Sequence, residues 1–197
     1  MLEHLKNYNV ILASNSPRRK ELLAGLGIDF EIRTLPDVDE SYPETLSGAD
    51  IPLYISKEKA DAYRDMLAPG ELMITADTIV WIDGTVLGKP KDREDALRML
   101  RQMSGRTHEV FTGVCITTTG WQRSFSARTE VRFASLSDEE ITYYVDKYRP
   151  MDKAGAYGVQ EWIGFIGVEY ISGSYYNIMG LPVQRLYQEL KNELTAL

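Results

Sequence analysis

The sequence predicts an α/β protein built on a mixed, partly antiparallel sheet. Short apolar runs suited to buried strands recur along the chain and are separated by amphipathic stretches with helical spacing. Asp83-Gly84 lies between two strand-like runs and is a strong hairpin signal, so part of the sheet must be antiparallel. Val110 to Thr118 and Phe125 to Phe133 read as paired strands around Gly120. Strands and helices do not alternate regularly enough for a clean βαβ repeat. The chain has no internal repeat, low-complexity segment or interdomain linker.

Taken in order, Tyr8 to Ala13 is a short buried strand, and Ser14-Asn15-Ser16 is a turn. Pro17 suits the first position of a helix and Ser16 suits its N-cap. Leu22, Leu23 and Leu26 form the apolar stripe of that helix, and Gly27 can end it. Phe30 to Leu35 is strand-like and leads into an acidic loop, Asp37 to Glu44. A helix is expected over Ile51 to Leu67. Leu72 to Ala76 and Ile79 to Ile82 read as two strands around Asp77-Thr78, followed by the hairpin into Thr85-Val86-Leu87. Asp92 caps a helix carrying Ala96, Leu97, Leu100 and Met103 on one face. Ser137-Asp138-Glu139-Glu140 is a capping box that starts another helix. Gly155 to Gly173 is glycine-rich and aromatic and reads as loops and short strands. Pro182 opens a last amphipathic helix with Val183, Leu186, Tyr187 and Leu190.

The 197 residues suit one domain, or one core with two small lobes, and residues 1–197 are read as a single domain. With 44% hydrophobic and 26% charged residues, the composition is that of a folded globular protein. A single cysteine, Cys115, excludes an intrachain disulfide and so a disulfide-stapled secreted scaffold. Met1 to Lys6 has no apolar core of the kind a secretory signal needs, and no run approaches the roughly 20 apolar residues that span a bilayer. The expected setting is the cytoplasm, away from membranes. A net charge of −7 argues against broad nucleic-acid binding, although clustered arginines can still hold a small anion.

Four constellations carry chemistry. Ser14-Asn15-Ser16-Pro17-Arg18-Arg19 lies between a strand and a helix, where free N–H groups and forked guanidinium donors suit phosphate. A solvated helix start with surface arginines is the equal alternative. In Thr75-Ala76-Asp77-Thr78, the carboxylate could hold a divalent cation or activate water. On the residues alone, a turn aspartate satisfying nearby N–H groups is preferred. Gly84-Thr85-Val86-Leu87-Gly88-Lys89-Pro90 is one residue short of a Walker A loop and has Pro90 where a magnesium-binding hydroxyl would stand. Lys89 could still reach phosphate as a point charge, or be a plain loop lysine. In Asp152 to Gln160, the glycines allow close backbone approach, and the Gln160 amide offers both donor and acceptor to a pyrimidine edge; a polar loop residue is the plain alternative.

Other features read as structural. Cys115 is a small core residue, and Trp81, Trp121 and Trp162 belong to core or rim. One cysteine with only His4 and His108 gives no familiar zinc spacing and no Cys–His nucleophile. The acidic run Asp37, Asp39, Glu40 and Glu44 is a solvated stretch.

Taken in order, these segments resemble the Maf family of nucleotide pyrophosphatases. The matching stretches are Ile11 through Leu23, Lys59-Ala60, Ala76 through Val80, Gly88-Lys89-Pro90 and Leu100 through Gly105. They continue with His108 through Val114, Asp152 through Gln160, and Gly173 through Asn177 with Gly180-Leu181-Pro182. Any one of these is weak; the ordered set spans nearly the whole chain and is highly specific.

The resemblance implies an elongated, mixed-sheet α/β fold similar to inosine triphosphatases, with two lobes and a central cleft. It implies cleavage of dTTP or UTP between the α- and β-phosphates, with a divalent metal, magnesium or manganese. Asp77 matches the proposed catalytic base, and Lys89 stands with it among the catalytic candidates. Arg18, Thr78 and Gln160 match positions that mark the dTTP/UTP-preferring subfamily. Ser14, Arg19 and Lys59 match further substrate-binding positions, and Glu40 with Asp77 matches the metal-associated acids. The loop from Thr34 to Glu40 varies in length among relatives, so Asp39 is an alternative to Glu40. The physics agrees: a triphosphate needs concentrated positive charge, which Arg18, Arg19, Lys59, Lys89 and a helix N-terminus can supply. A small-molecule triphosphate is the expected partner, with no nucleic acid or membrane and with room for a homodimer. The alternatives are the same chemistry on a modified or purine nucleotide, and a nucleotide-binding regulator of cell division and septum formation.

Overall fold

The apolar run after Tyr8 forms β1 (Asn9–Leu12), with Val10, Ile11 and Leu12 buried. This computed structural model describes residues 2–35 and 38–193, so Met1 and the Asp37 of the acidic run lie outside the described residues. Helix α1 (Pro17–Ala24) starts as its sequence implies, with Pro17 in the first turn and the Ser16 hydroxyl accepting from the Arg19 N–H at 3.4 Å. It ends before Gly27, which adopts φ +70° in the turn that follows, and Leu26 is half-buried beyond the helix. The expected strand over Phe30 to Leu35 shrinks to β2 (Glu31–Ile32). It is an exposed edge paired, among the described residues, with β1 alone, and little burial holds the rest of the run in register.

Helix α2 (Asp50–Tyr63) continues into a 3-10 turn over Arg64–Met66. The two short strands expected around Asp77-Thr78 are one continuous strand, β3 (Glu71–Ile82). Type I′ geometry then turns the chain into β4 (Thr85–Leu87): Asp83 and Gly84 have φ +52° and +74°, the sign this tight hairpin requires at both positions.

Helix α3 (Arg93–Met103) is capped by the Asp92 carboxylate, which accepts from the Asp95 N–H at 2.8 Å. The paired strands are β5 (Thr107–Thr117) and β6 (Gln122–Phe133). The Thr118 hydroxyl fixes their turn by accepting from the N–H groups of Gly120 and Trp121 at 3.2 and 3.1 Å. Helix α4 (Asp138–Tyr148) carries the full capping box between Ser137 and Glu140. The Gly155 to Gly173 stretch contains a helix, α5 (Trp162–Gly167), before β7 (Val168–Ser172), and a further short helix, α6 (Tyr175–Ile178), follows. Trp162–Gly167 is aromatic and glycine-rich and Tyr175–Ile178 is only four residues long, so neither carries much intrinsic helix signal and tertiary packing decides them. Helix α7 (Val183–Glu193) follows Pro182.

The strand order is β2-β1-β3-β5-β6-β7, with β4 on β3. β1 is parallel to both β2 and β3, whereas β3–β4 and β6–β7 are antiparallel, so the sheet is mixed. The chain divides into two compact units interleaved in sequence. The first comprises Met1–Asp77, Thr112–Ala127 and Gly180–Leu197; the second comprises Thr78–Phe111 and Arg128–Met179. No helix among the described residues is long and apolar enough to cross a membrane.

In the first unit, Ala60 and Tyr63 of α2 pack on Ile11 and Met73, with Cys115 as a buried core residue beside them. Gly113 of β5 meets the first turn of α2 so closely that a Cβ would stand 2.2 Å from the Pro52 carbonyl oxygen. Glu189 of α7 is buried and ion-paired to Arg123 and Arg185, each at 2.6 Å. In the second unit, Arg93–Asp146 and Arg101–Asp138 pairs at 2.6 and 2.7 Å link α3 to α4. Trp81, Trp121 and Trp162 are all half-buried, as rim residues.

His108 belongs to the core of the second unit. It is 1% exposed, lies edge-on to Phe133 and Tyr157, and its Nε2 is 2.8 Å from the Tyr157 hydroxyl. Burial lowers its pKa from 6.5 to about 4. Below pH 6.5 the unfolded chain therefore takes up a proton that the folded chain refuses, and stability falls until both forms are protonated near pH 4. The full loss is about 3 kcal/mol. Urea unfolding across this window should show the decline, and His108→Gln should flatten it between pH 6.5 and 5, where most carboxylates stay ionised. An unchanged slope in the variant would remove His108 as its source.

Candidate active site

Asp77 lies within β3 and is only 9% exposed. It is not in a turn, which corrects the preferred local reading of this aspartate. Strand alternation places Thr75 and Asp77 on one face, and α2 lies against it. The Thr75 hydroxyl donates to the Ser56 carbonyl at 2.7 Å, and one helical turn on, Lys59 Nζ is 2.9 Å from Asp77 Oδ1. The same ammonium is 2.7 Å from Glu40 Oε1. Lys59 and Asp77 are well shielded, whereas Glu40 is half exposed. Two carboxylates thus converge on one cation.

Asp39 is occupied differently. Its carboxylate accepts from the N–H and hydroxyl of Ser41 at 2.8 and 2.7 Å, and these bonds lower its pKa. Of the two candidate acids, Glu40 is the one that reaches Lys59.

The turn between β1 and α1 adds further positive charge. The buried Ser14 hydroxyl accepts from the Ser16 N–H at 3.2 Å and from Arg19 Nη1 at 3.4 Å. Arg19 Nε donates to the Gly180 carbonyl at 2.8 Å, a brace that the sequence did not signal. Burial is the main cause lowering the Arg19 pKa; Asp77 opposes it, Arg18 adds to it and Glu40 opposes it. The guanidinium stays charged at any ordinary pH. The first unit therefore gathers Ser14, Arg18, Arg19, Glu40, Lys59 and Asp77.

Thr78, Lys89 and Gln160 belong to the second unit. Thr78 follows Asp77 on β3 and, by strand alternation, turns to the opposite face. Lys89 is exposed just after β4, where the Gly88 carbonyl accepts from the Gly155 N–H at 3.0 Å. Gly155 has φ +67°, and a Cβ there would lie 2.8 Å from Val80 Cγ2, so this joint between loops needs glycine. Gln160 is half-buried, and its Oε1 is shielded from solvent with no hydrogen-bond donor among the described residues. Around it the Tyr144 hydroxyl accepts from the Gly158 N–H at 3.0 Å and donates to the Glu161 carboxylate, while Lys153 Nζ lies 3.1 Å from Glu161 Oε1. Tyr144 carries no signal in the sequence, because nothing local announces a contact made across the fold.

Among the described residues, no group of three His, Cys, Asp or Glu side chains gathers as a cation site. Asp77 and Glu40 are a pair of hard oxygen donors already converging on a positive charge. Such a pair fits a magnesium-like ion that takes its other ligands from phosphate and water.

Lys59→Met should remove the cation bonded to the shielded Asp77 carboxylate and destabilise the fold by about 3 kcal/mol. Adding Asp77→Asn to that variant should recover part of the loss. Urea unfolding of the two singles and the double measures this; strictly additive losses would mean the two groups do not interact.

A family model described as Maf-like protein matches residues 9–193. A dTTP/UTP pyrophosphatase of Bacteroides thetaiotaomicron is 71% identical, covering 97% of this chain and 99% of its own. Proteins of the same name from Parabacteroides distasonis and Flavobacterium psychrophilum are 60% and 48% identical, covering 98% and 95% of this chain and 100% and 95% of their own. Among solved structures, the Ham1 protein of Staphylococcus aureus aligns with a TM-score of 0.53 at 16% identity, over 94% of this chain and 99% of that one. A HAM1 protein from Coxiella burnetii aligns with a TM-score of 0.50 at 13% identity over the same shares. These two likenesses establish a shared fold, the one expected from the resemblance to inosine triphosphatases.

Proposed function

The chain belongs to the Maf family, and from that we infer that it is a nucleoside triphosphate pyrophosphatase that hydrolyses dTTP and UTP to the monophosphate and pyrophosphate. The observation that carries the reading is the charge cluster of the first unit, with Lys59 between Asp77 and Glu40 and Arg19 nearby, in a chain whose close relatives bear that name. We read residues 1–197 as one functional domain working in the cytoplasm, where nucleoside triphosphates are made and used.

In the first unit, Arg18 and Arg19 stand at the N-terminus of α1, where free N–H groups and the helix dipole favour phosphate. The Ser14 hydroxyl and the Gly180 carbonyl brace Arg19, so its forked donors need little ordering when an anion arrives. Lys59 adds a point charge. Asp77 and Glu40 would hold magnesium or manganese, which supplies charge neutralisation at the phosphate oxygens and a polarised water. Asp77 takes the proton from the water that attacks the α-phosphorus; the bond from that phosphorus to the bridging oxygen breaks, and pyrophosphate leaves. The arginines and lysines hold the charge that develops on the leaving group. No covalent nucleophile is needed.

In the second unit, Lys89 is exposed and offers a further cation to phosphate. Gln160 reads the base. Uracil and thymine share one edge, two carbonyl acceptors flanking an N–H, and a single amide can donate to one and accept from the other. The buried, donor-free Gln160 Oε1 supports this role, since a polar atom in that state lacks the hydrogen bond it needs. Thymine's extra methyl changes affinity by only ~1–3 kcal/mol, so both nucleotides are accepted. Thr78 and Arg18 match positions that mark the dTTP/UTP-preferring subfamily.

Asp77→Asn should keep the fold and lose turnover by ~10²–10⁴. Pyrophosphate release from dTTP with magnesium measures it, and near-normal turnover by a folded variant would take Asp77 out of the mechanism.

A panel of dTTP, UTP, CTP, ATP and GTP should favour the first two. Arg19→Ala and Lys89→Ala should weaken use of every nucleotide alike, because phosphate carries no base information. Gln160→Ala should instead reduce dTTP and UTP selectively. Preference for a purine triphosphate, or an unchanged profile in Gln160→Ala, would overturn the base assignment while leaving the pyrophosphatase assignment standing.

A further inference from the structure

We propose that Tyr144 is a positioning residue that sets base selectivity through Gln160, an inference that rests on Gln160 reading the pyrimidine edge. Tyr144 lies on α4 and is fully buried. Its hydroxyl holds the chain on both sides of Gln160: it accepts from the N–H of Gly158 at 3.0 Å and donates to the carboxylate of Glu161. The segment closes further on itself. The Glu161 N–H donates to the Gly158 carbonyl at 2.9 Å, and the other Glu161 oxygen lies 3.1 Å from Lys153 Nζ, which also pairs with Asp152 at 2.8 Å. Gly158 makes this closure fit, since a Cβ there would stand 2.9 Å from Glu161 Cδ. Gly164 does the same one turn later, where a Cβ would meet the Val159 carbonyl oxygen at 1.8 Å.

Gln160 therefore projects from a backbone fixed on either side, while its own amide oxygen has no donor. This division has a chemical consequence. The two ends of a carboxamide are nearly the same size but opposite in hydrogen-bonding sense. Uracil presents a ring N–H beside a carbonyl, whereas cytosine presents a bare ring nitrogen beside an amino group. An amide free to swivel satisfies either. Choosing uracil over cytosine thus requires a fixed direction of approach, and the Tyr144 hydroxyl fixes the backbone from which the amide projects. Tyr144 acts at a distance from the reacting phosphate; what it controls is which base is tolerated.

The experiment compares kcat/KM for UTP and CTP with the full-length enzyme and magnesium. Tyr144→Phe should lower the UTP-to-CTP ratio about tenfold, as loss of a buried hydrogen bond on each side of Gln160 would, mainly through a higher KM for UTP with kcat little changed. A purely structural role would depress both nucleotides alike and leave the ratio intact, which would overturn the proposal. In a Gln160→Ala background, Tyr144→Phe should change the ratio no further; an additional tenfold loss there would mean that Tyr144 acts by another route. Glu161→Gln, which keeps side-chain volume but weakens the bond from Tyr144, should move the ratio in the same direction and serves if Tyr144→Phe does not fold. If Gln160→Ala leaves the ratio unchanged, the base assignment fails and this proposal fails with it. If Gln160→Ala collapses the ratio while Tyr144→Phe and Glu161→Gln do not, only the positioning role of Tyr144 is lost.

Discussion

A carboxylate sits in the middle of a buried strand, and much of the first unit is arranged to allow it. Asp77 is the one charged residue in the largely apolar stretch of β3 from Leu72 to Ile82. An isolated charge at such a depth is costly unless paired. Lys59 provides the pairing, and it can do so only because α2 lies against the face of β3 that carries Thr75 and Asp77. Helix placement, strand continuity and the charge cluster are therefore one arrangement. Glu40 and Arg19 join it from loop and helix end, adding one more negative and one more positive group.

The same arrangement explains where the sequence was legible and where it was not. Caps, the hairpin and the amphipathic helices are local matters, and Ser16, Asp92, Ser137 and Asp83-Gly84 do in the fold what their residue types announce. Asp77-Thr78 misled because a polar pair between apolar runs looks like a turn; the lysine that lets the strand run through it is 18 positions away. Helices α5 and α6 were missed for a related reason, since an aromatic, glycine-rich stretch and a four-residue turn carry no helical signature without the packing around them. The individual site residues were drawn from an ordered resemblance. The contacts that brace them, from Gly180 to Arg19 and from Tyr144 to the Gln160 segment, cross the fold and leave no local pattern.

The two units solve different problems with different means. The first assembles charge around a helix end and a buried acid. The second uses glycines to let the backbone come close to its neighbours: Gly155 against the Val80 side chain beside the Lys89 loop, Gly158 against the Glu161 side chain, and Gly164 against the Val159 backbone. Charge clusters tolerate some looseness, because Coulomb attraction falls off slowly with distance. Hydrogen-bond discrimination does not, because it depends on angle. On the proposed function, the hydrogen-bonded backbone around Gln160 and the long side chains around Asp77 suit these two requirements.

Gly113 bears on the depth at which Lys59 works. Any side chain at this position would strike the Pro52 carbonyl at 2.2 Å. To relieve that overlap, the start of α2 would have to lift from β5 by roughly 1 Å or more. Lys59 rides on the same helix, two turns farther along. The missing methyl group on β5 thus acts as a depth gauge: it lets the helix seat fully, and the seated helix delivers an ammonium to Asp77 at 2.9 Å instead of leaving it stranded above a buried acid.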